Sequence, residues 1–269
     1  MELFFRKEGT GKPLIIIHGL YGSSDNWFSI SKKLAPFYTV YCIDQRNHGR
    51  SPHHPDNSYS AMADDLFDFF SHMKIDSATV LGHSMGGKTA MYFAARHPEK
   101  TEKLIVADIA PKNYLKAPAQ NQHEIHRQVL STMQLLDLSS IKSRQQLVEM
   151  LTLQMNDKNM VGFIAKNTAF GANGNHLRWK INVDALINYI TAIVSDVNFS
   201  DLKMFAPMDK YPVTFIRGEN SSYIDDSDIQ EILKLYPAAR FINIQDAGHW
   251  LHAEQPQQFV QAVLSQQTV

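Results

Sequence analysis

Ser77-Ala78-Thr79-Val80-Leu81-Gly82-His83-Ser84-Met85-Gly86-Gly87-Lys88 is the stretch on which the fold turns. Its first five residues are short, apolar and β-branched, which predicts a buried strand. From Gly87 to Arg96, Ala90, Met91, Phe93, Ala94 and Ala95 supply good helix formers, and His97-Pro98 stops the helix. Between strand and helix stands Gly82-x-Ser84-x-Gly86, the G-x-S-x-G pattern of a nucleophile elbow. In such an elbow the serine sits on a sharp turn with its hydroxyl exposed. The glycines leave room where strand and helix crowd together. The pattern alone also fits a glycine-rich turn whose serine caps a helix. Partners elsewhere in the chain decide between the two.

Working outward, strands and helices alternate. Glu2 to Arg6 reads as an edge strand, Leu14 to Ile17 and Tyr38 to Ile43 as buried strands, and Trp27 to Leu34 as a helix. Asp44 to Tyr59 reads as a loop. Ser60 is placed to cap a helix carrying Met62, Leu66, Phe69 and Phe70 on one face. Lys103 to Ala107 follows the elbow unit as another strand. From about Asn113 to Pro207 no strong buried strand appears, and four segments carry helical spacing: Glu124–Leu136, Ser143–Met155, Met160–Asn167 and Val183–Val194. Strands resume at Pro212–Ile216 and Arg240–Ile244, with helices at Ile229–Tyr236 and Pro256–Leu264. This order predicts an α/β protein: a mostly parallel twisted sheet, helices on both faces, and an inserted helical cap. The expected division is a core of residues 1–112 and 206–269 and a cap of residues 113–205.

The 269 residues are 44% hydrophobic and 20% charged, with a net charge of −1. That balance offers no field for nucleic acid or an anionic membrane. The single cysteine, Cys42, lies in a predicted strand and reads as a small core hydrophobe. Met1 to Glu8 lacks a long apolar run, and no segment is long enough to span a bilayer. The expectation is a cytoplasmic monomer or dimer acting on a small molecule, with no cofactor and no metal.

A serine hydroxyl needs a base, and the base needs an orienting group. Of 12 histidines, His249 directly follows the last predicted strand, in Asp246-Ala247-Gly248-His249-Trp250. Ligand sites of α/β proteins sit at such strand ends. His83 reads as packing under the elbow, His18 as shaping its loop, and His48 as locally hydrogen-bonded. His123 and His126 share a helix face without a third ligand. An oxyanion hole would use the amide of Met85 and one from His18-Gly19-Leu20-Tyr21-Gly22, with Leu20 the candidate donor. Asp108, at the end of the strand after the elbow, is placed to meet His249. Glu219 is the alternative, while Asp225 and Asp226 read as first-turn helix acids.

The chain resembles the α/β-hydrolase superfamily over nearly its whole length. His18-Gly19, Asp44-x-Arg46-x-x-Gly49-x-Ser51, Gly82-His83-Ser84-Met85-Gly86-Gly87 and Gly248-His249-Trp250 follow the superfamily's order. More narrowly it resembles small bacterial esterases of the YbfF type. His18-Gly19-Leu20-Tyr21-Gly22-Ser23-x-Asp25-Asn26-Trp27, Arg46-Asn47-His48-Gly49-Arg50-Ser51, Asp108-Ile109-Ala110-Pro111 and Arg217-Gly218-x-Asn220-Ser221 carry that likeness. The resemblance implies Asp108 as the acid and Ser221, where the wider superfamily has aspartate, as a fourth member near the histidine. It also implies hydrolysis of carboxylic esters or acyl-CoA thioesters through an acyl-enzyme on Ser84. Tyr21, Met160, Phe163, Phe170, Trp179 and Trp250 are candidates for an acyl pocket or for cap core. Lys112, Lys116 and Arg127 are candidates for CoA phosphates or a solvated basic face. Competing activities on this scaffold are C–C bond hydrolysis, cofactor-free haloperoxidation, and slow-turnover ligand binding or signalling.

Overall fold

The computed structural model describes residues 1–116, 121–171, 176–195 and 197–265. Seven strands form one sheet: β1 (Phe5–Glu8), β2 (Lys12–Ile17), β3 (Tyr38–Ile43), β4 (Ala78–His83), β5 (Thr101–Ala107), β8 (Val213–Gly218) and β9 (Arg240–Ile244), in the order β1-β3-β2-β4-β5-β8-β9. All neighbours are parallel except β1, which runs antiparallel to β3 from Phe5 opposite Ile43 to Glu8 opposite Val40. That register moves the edge strand from the expected Glu2–Arg6 toward Glu8. Between β5 and β8 lies the hairpin β6 (Thr168–Phe170) and β7 (Leu177–Trp179).

The helices are α1 (Phe28–Leu34), α2 (Tyr59–His72), α3 (Met85–Arg96), α4 (Gln122–Leu135), α5 (Arg144–Gln154), α6 (Lys158–Ala165), α7 (Val183–Ser195), α8 (Phe199–Leu202), α9 (Asp226–Leu235), α10 (Leu251–Glu254) and α11 (Pro256–Leu264). The apolar strands feed two cores because successive side chains face opposite ways. Ile15, Ile17, Val80, Leu104, Val106 and Phe215 pack with α2 and α3, through Met62, Leu66, Phe70, Ala90 and Phe93. Leu14, Ile16, Leu81, Ile105 and Ile216 pack with Ile30 and Leu34 of α1 and Phe259 and Val263 of α11. Cys42 belongs to this second core, where burial pushes its thiol up to about 12 and leaves it inert.

The segment between β5 and β8 adds Leu130, Met133, Leu147, Ile164 and Leu186 to the first core. Ser58, not Ser60, caps α2: its backbone is extended, as a cap requires, and its hydroxyl accepts from Ala61 N–H at 3.2 Å. Ser60 falls inside the first turn. Among the described residues no helix is long and apolar enough to cross a membrane.

Candidate active site

The chain turns from β4 into α3 at Ser84, whose φ of 53° and ψ of −121° are unusual for a residue with a side chain. The turn closes only because its flanks lack Cβ atoms. A Cβ on Gly82 would lie 2.1 Å from Gly86 O, and one on Gly86 2.3 Å from Ile17 O. The Ser84 amide donates to Ala107 O at 3.0 Å, fixing the elbow to β5.

The adjacency β4-β5-β8-β9 places four polar side chains in a row beyond the strand tips. Ser84 follows β4, Asp108 follows β5, Ser221 follows β8 and His249 follows β9. His249 Nδ1 lies 2.8 Å from Asp108 Oδ2, and its Nε2 lies 3.0 Å from Ser84 Oγ. A carboxylate only accepts, so Nδ1 carries the proton and Nε2 accepts from the Ser84 hydroxyl. Asp108 is fully buried. It also accepts from the Ser221 hydroxyl at Oδ2 and from Gly218 N–H at Oδ1, 3.1 Å away. These three donors replace the water that a buried carboxylate loses.

Glu219 is exposed and accepts from Asp246 N–H. Asp225 caps α9 through Ser227 N–H and Asp228 N–H and pairs with Lys112. Neither hydrogen-bonds His249.

Three more histidines surround this row in the neutral form. His83 donates from Nε2 to His249 O at 2.8 Å, so it positions the base as well as packing under the elbow. Burial and the nearby His249 hold its pKa well below the ordinary value. His252 stacks on Trp27 at 4.2 Å, and burial lowers it to about 3. His126, on α4, is lowered to about 4 by burial. His18 shapes the loop that carries Leu20: Nδ1 donates to Gly19 O at 2.8 Å, and Nε2 accepts from Gln45 N–H at 3.0 Å. Burial lowers it to about 4. His48 hydrogen-bonds Arg46 O, a local contact.

Tyr223 carried no signal in the sequence. Its ring lies on the His249 imidazole at 3.7 Å and 15°. Its hydroxyl donates to Gln122 Oε1 at 2.6 Å, and its carbonyl accepts from Tyr114. An aromatic face against an imidazole is attractive, more so when the imidazole is cationic.

Ser84 opens on a cavity whose walls include Leu20, Tyr21, Met160, Phe163, His249 and Trp250. A second, smaller cavity also reaches Ser84, with Leu20, Met85, Ile109 and Val194 among its walls. Phe170 and Trp179 line neither. Phe170 stands half-exposed on the hairpin, and Trp179 is turned inward, its indole N–H donating to Met133 O at 3.1 Å. The expected phosphate contacts do not converge. Lys112 is held by Asp225 and Asp228, Arg127 pairs with Glu124, and Lys116 is exposed.

A different set of cations lines one groove, with Lys180 3.8 Å from Asp25 and Arg144 donating to Thr168 O. This groove, lined by Arg144, Lys158, Lys166 and Lys180, shares Asn26, Phe163, Trp250 and His252 with the larger cavity. Arg144 lies on α5, Lys158 at the start of α6, Lys166 just after it and Lys180 after β7, so the fold brings three segments together. Among the described residues no group of three or more side chains is arranged to hold a metal. His123 instead contacts Thr191 Oγ1 at 3.0 Å.

Residues 12–256 match the alpha/beta hydrolase fold family. The chain is 31% identical to the esterase YbfF of Escherichia coli K12, covering 96% of this chain and 94% of that protein. It is 32% identical to an sn-1-specific diacylglycerol lipase of Danio rerio, covering 97% of this chain and 80% of that protein. Among solved structures, a marine microorganism esterase superposes with a TM-score of 0.91 at 44% identity, covering 98% of both chains.

Proposed function

The chain belongs to the alpha/beta hydrolase fold family, and from that premise we propose that it is a serine carboxylesterase working through an acyl-enzyme on Ser84. Relatives named esterase and lipase support the activity class. The observation that carries the residue assignment is the connected row Ser84 Oγ, His249 Nε2, His249 Nδ1 and Asp108, at 3.0 and 2.8 Å.

The chemistry follows from that row. As Ser84 Oγ attacks the acyl carbon, its proton passes to His249 Nε2. The imidazolium that forms is stabilised by buried Asp108, which Ser221 and Gly218 hold in place. Charge gathers on the former carbonyl oxygen, where the amides of Leu20 and Met85 are the proposed donors. One such donor contributes about 3 kcal/mol to the barrier. Collapse breaks the bond to the leaving group, which takes the proton from Nε2 and departs. Water then repeats the sequence against the Ser84 ester and regenerates the serine. Residues 113–205 act as a cap over the site, contributing Met160 and Phe163 to its wall.

A thioester whose thiol carries phosphate is a second reading, favoured by one observation. The groove of Arg144, Lys158, Lys166 and Lys180 adjoins the larger cavity and has Asp25 and Glu254 as its carboxylates. A cation cluster beside an apolar cavity suits a ligand with an anionic distal end.

The test is pre-steady-state hydrolysis of p-nitrophenyl butyrate followed by mass spectrometry of an acid-quenched sample. The expected result is stoichiometric p-nitrophenol release with a butyryl group on the Ser84 peptide. Hydrolysis with no adduct under any quench, and with undiminished activity in Ser84→Ala, overturns the assignment. A panel adding acyl thioesters and β-diketones separates thioester and C–C bond hydrolysis.

A further inference from the structure

Both cavities at Ser84 share Leu20, Ser84, Gln122, His126 and Tyr223, so they meet at the hydroxyl and diverge from it. Their other walls differ in a way that matters chemically. His249 lines only the larger cavity, and Met85 lines only the smaller. On the serine-hydrolase reading above, the departing atom takes its proton from His249 Nε2, so the leaving group lies on the His249 side. The acyl chain must then run the other way. We propose that the smaller cavity is the acyl subsite and the larger one the leaving-group subsite, so that Ile193 and Val194 limit acyl length while Met160 and Phe163 act on the alcohol or thiol.

The walls fit this division. The smaller cavity is bounded by Tyr59, Ile109, Ile193 and Val194, all buried. Tyr59 OH donates to Ile193 O at 2.9 Å, joining α2 to α7 across its end. Lys88 also lines it, with its ammonium donating to Lys112 O and Val194 O at 3.1 and 3.2 Å. These buried side chains and the Lys88 ammonium bound the smaller cavity, which suits a short acyl chain. The larger cavity instead shares Asn26, Phe163, Trp250 and His252 with the cationic groove, which suits a long or bulky leaving group. An acyl methylene that meets a wall costs roughly tenfold or more in specificity.

The test compares kcat/KM for p-nitrophenyl acetate, butyrate, hexanoate and octanoate, and for acetyl esters of small and bulky alcohols. Val194→Ala should raise the hexanoate-to-acetate ratio by about tenfold. Ile193→Phe should lower it by a similar factor. Phe163→Ala should change the ranking among acetyl esters of different alcohols. If the acyl ratio follows Phe163→Ala and ignores Val194→Ala, the division is wrong while the hydrolase reading stands. If the wild-type enzyme turns over no ester or thioester, the hydrolase reading falls and takes the division with it.

Discussion

Replacing Asp108 by asparagine removes one charge and leaves the shape nearly unchanged, so its effect is readable from the contacts. Oδ1 accepts from Gly218 N–H at 3.1 Å, while Oδ2 accepts from His249 Nδ1 and the Ser221 hydroxyl. An asparagine oxygen must take one of these places and its NH₂ the other. With NH₂ beside Gly218 N–H, two donors meet in a buried site. The side chain therefore turns its oxygen to Gly218 and its NH₂ to His249. Nδ1 must then accept, the proton moves to Nε2, and Nε2 no longer accepts from Ser84. Losing a charged hydrogen bond costs about 1.5–3 kcal/mol. The wrong tautomer raises the total to about 5.5 kcal/mol, or about 10⁴-fold in kcat. The assay is p-nitrophenyl butyrate hydrolysis by Asp108→Asn, with circular dichroism to show the fold intact. Ser221→Ala removes one donor and should cost about tenfold. Asp225→Asn keeps a competent helix cap and should leave kcat unchanged. A folded Asp108→Asn within about tenfold of wild type, or an equal loss in Asp225→Asn, would refute the reasoning.

Three further outcomes follow from the same contacts. Gly86→Ala drives a Cβ to 2.3 Å from Ile17 O and 2.5 Å from His18 O; urea unfolding should show a loss of about 3 kcal/mol or more, and an unchanged midpoint would contradict the close-packed elbow. Tyr223→Leu removes the ring that lies on His249 and the hydroxyl that donates to Gln122; kcat should fall about tenfold, whereas Tyr223→Phe keeps the ring and should stay within about threefold of wild type, and an equal loss in both variants would contradict a role for the ring. His18, His48, His83, His126 and His252 all have depressed pKa values through burial. Unfolding lets them bind protons near pH 6.5, so their contribution is present above that pH and is lost progressively as pH falls below it, each by up to about 1.4 kcal/mol per unit. Urea midpoints at pH 7.5 and 5 should differ strongly, and equal midpoints would contradict the neutral assignments.

The succession of strands and helices along the chain, and the positions of Ser84, Asp108 and His249 just after their strands, were legible because they rest on local signals. An apolar run, a Gly-rich turn and a position after a strand need no knowledge of distant packing. Tyr38–Ile43, Arg240–Ile244 and Pro256–Leu264 fall where their sequences place them. What escaped depends on tertiary contact. The β6–β7 hairpin has three-residue strands in a polar stretch, too short for alternation to register. Phe170 and Trp179 are aromatic, but Trp179 is drawn inward by its hydrogen bond to Met133 of α4 while Phe170 stays half-exposed on the hairpin. Tyr223 gains its place from the loops after β8 and β9 being neighbours, and the cationic groove from helices and a hairpin meeting at the cavity mouth. Ser60 and Ser58 are equally good caps by type, and backbone geometry chose the earlier.

The central claim is that Ser84 carries the acyl group, and the steady-state kcat of Ser84→Ala toward p-nitrophenyl butyrate tests it most directly. With the fold verified by its unfolding midpoint, kcat should fall by about five to six orders of magnitude. A folded Ser84→Ala enzyme that retains a tenth of the wild-type rate would contradict the account.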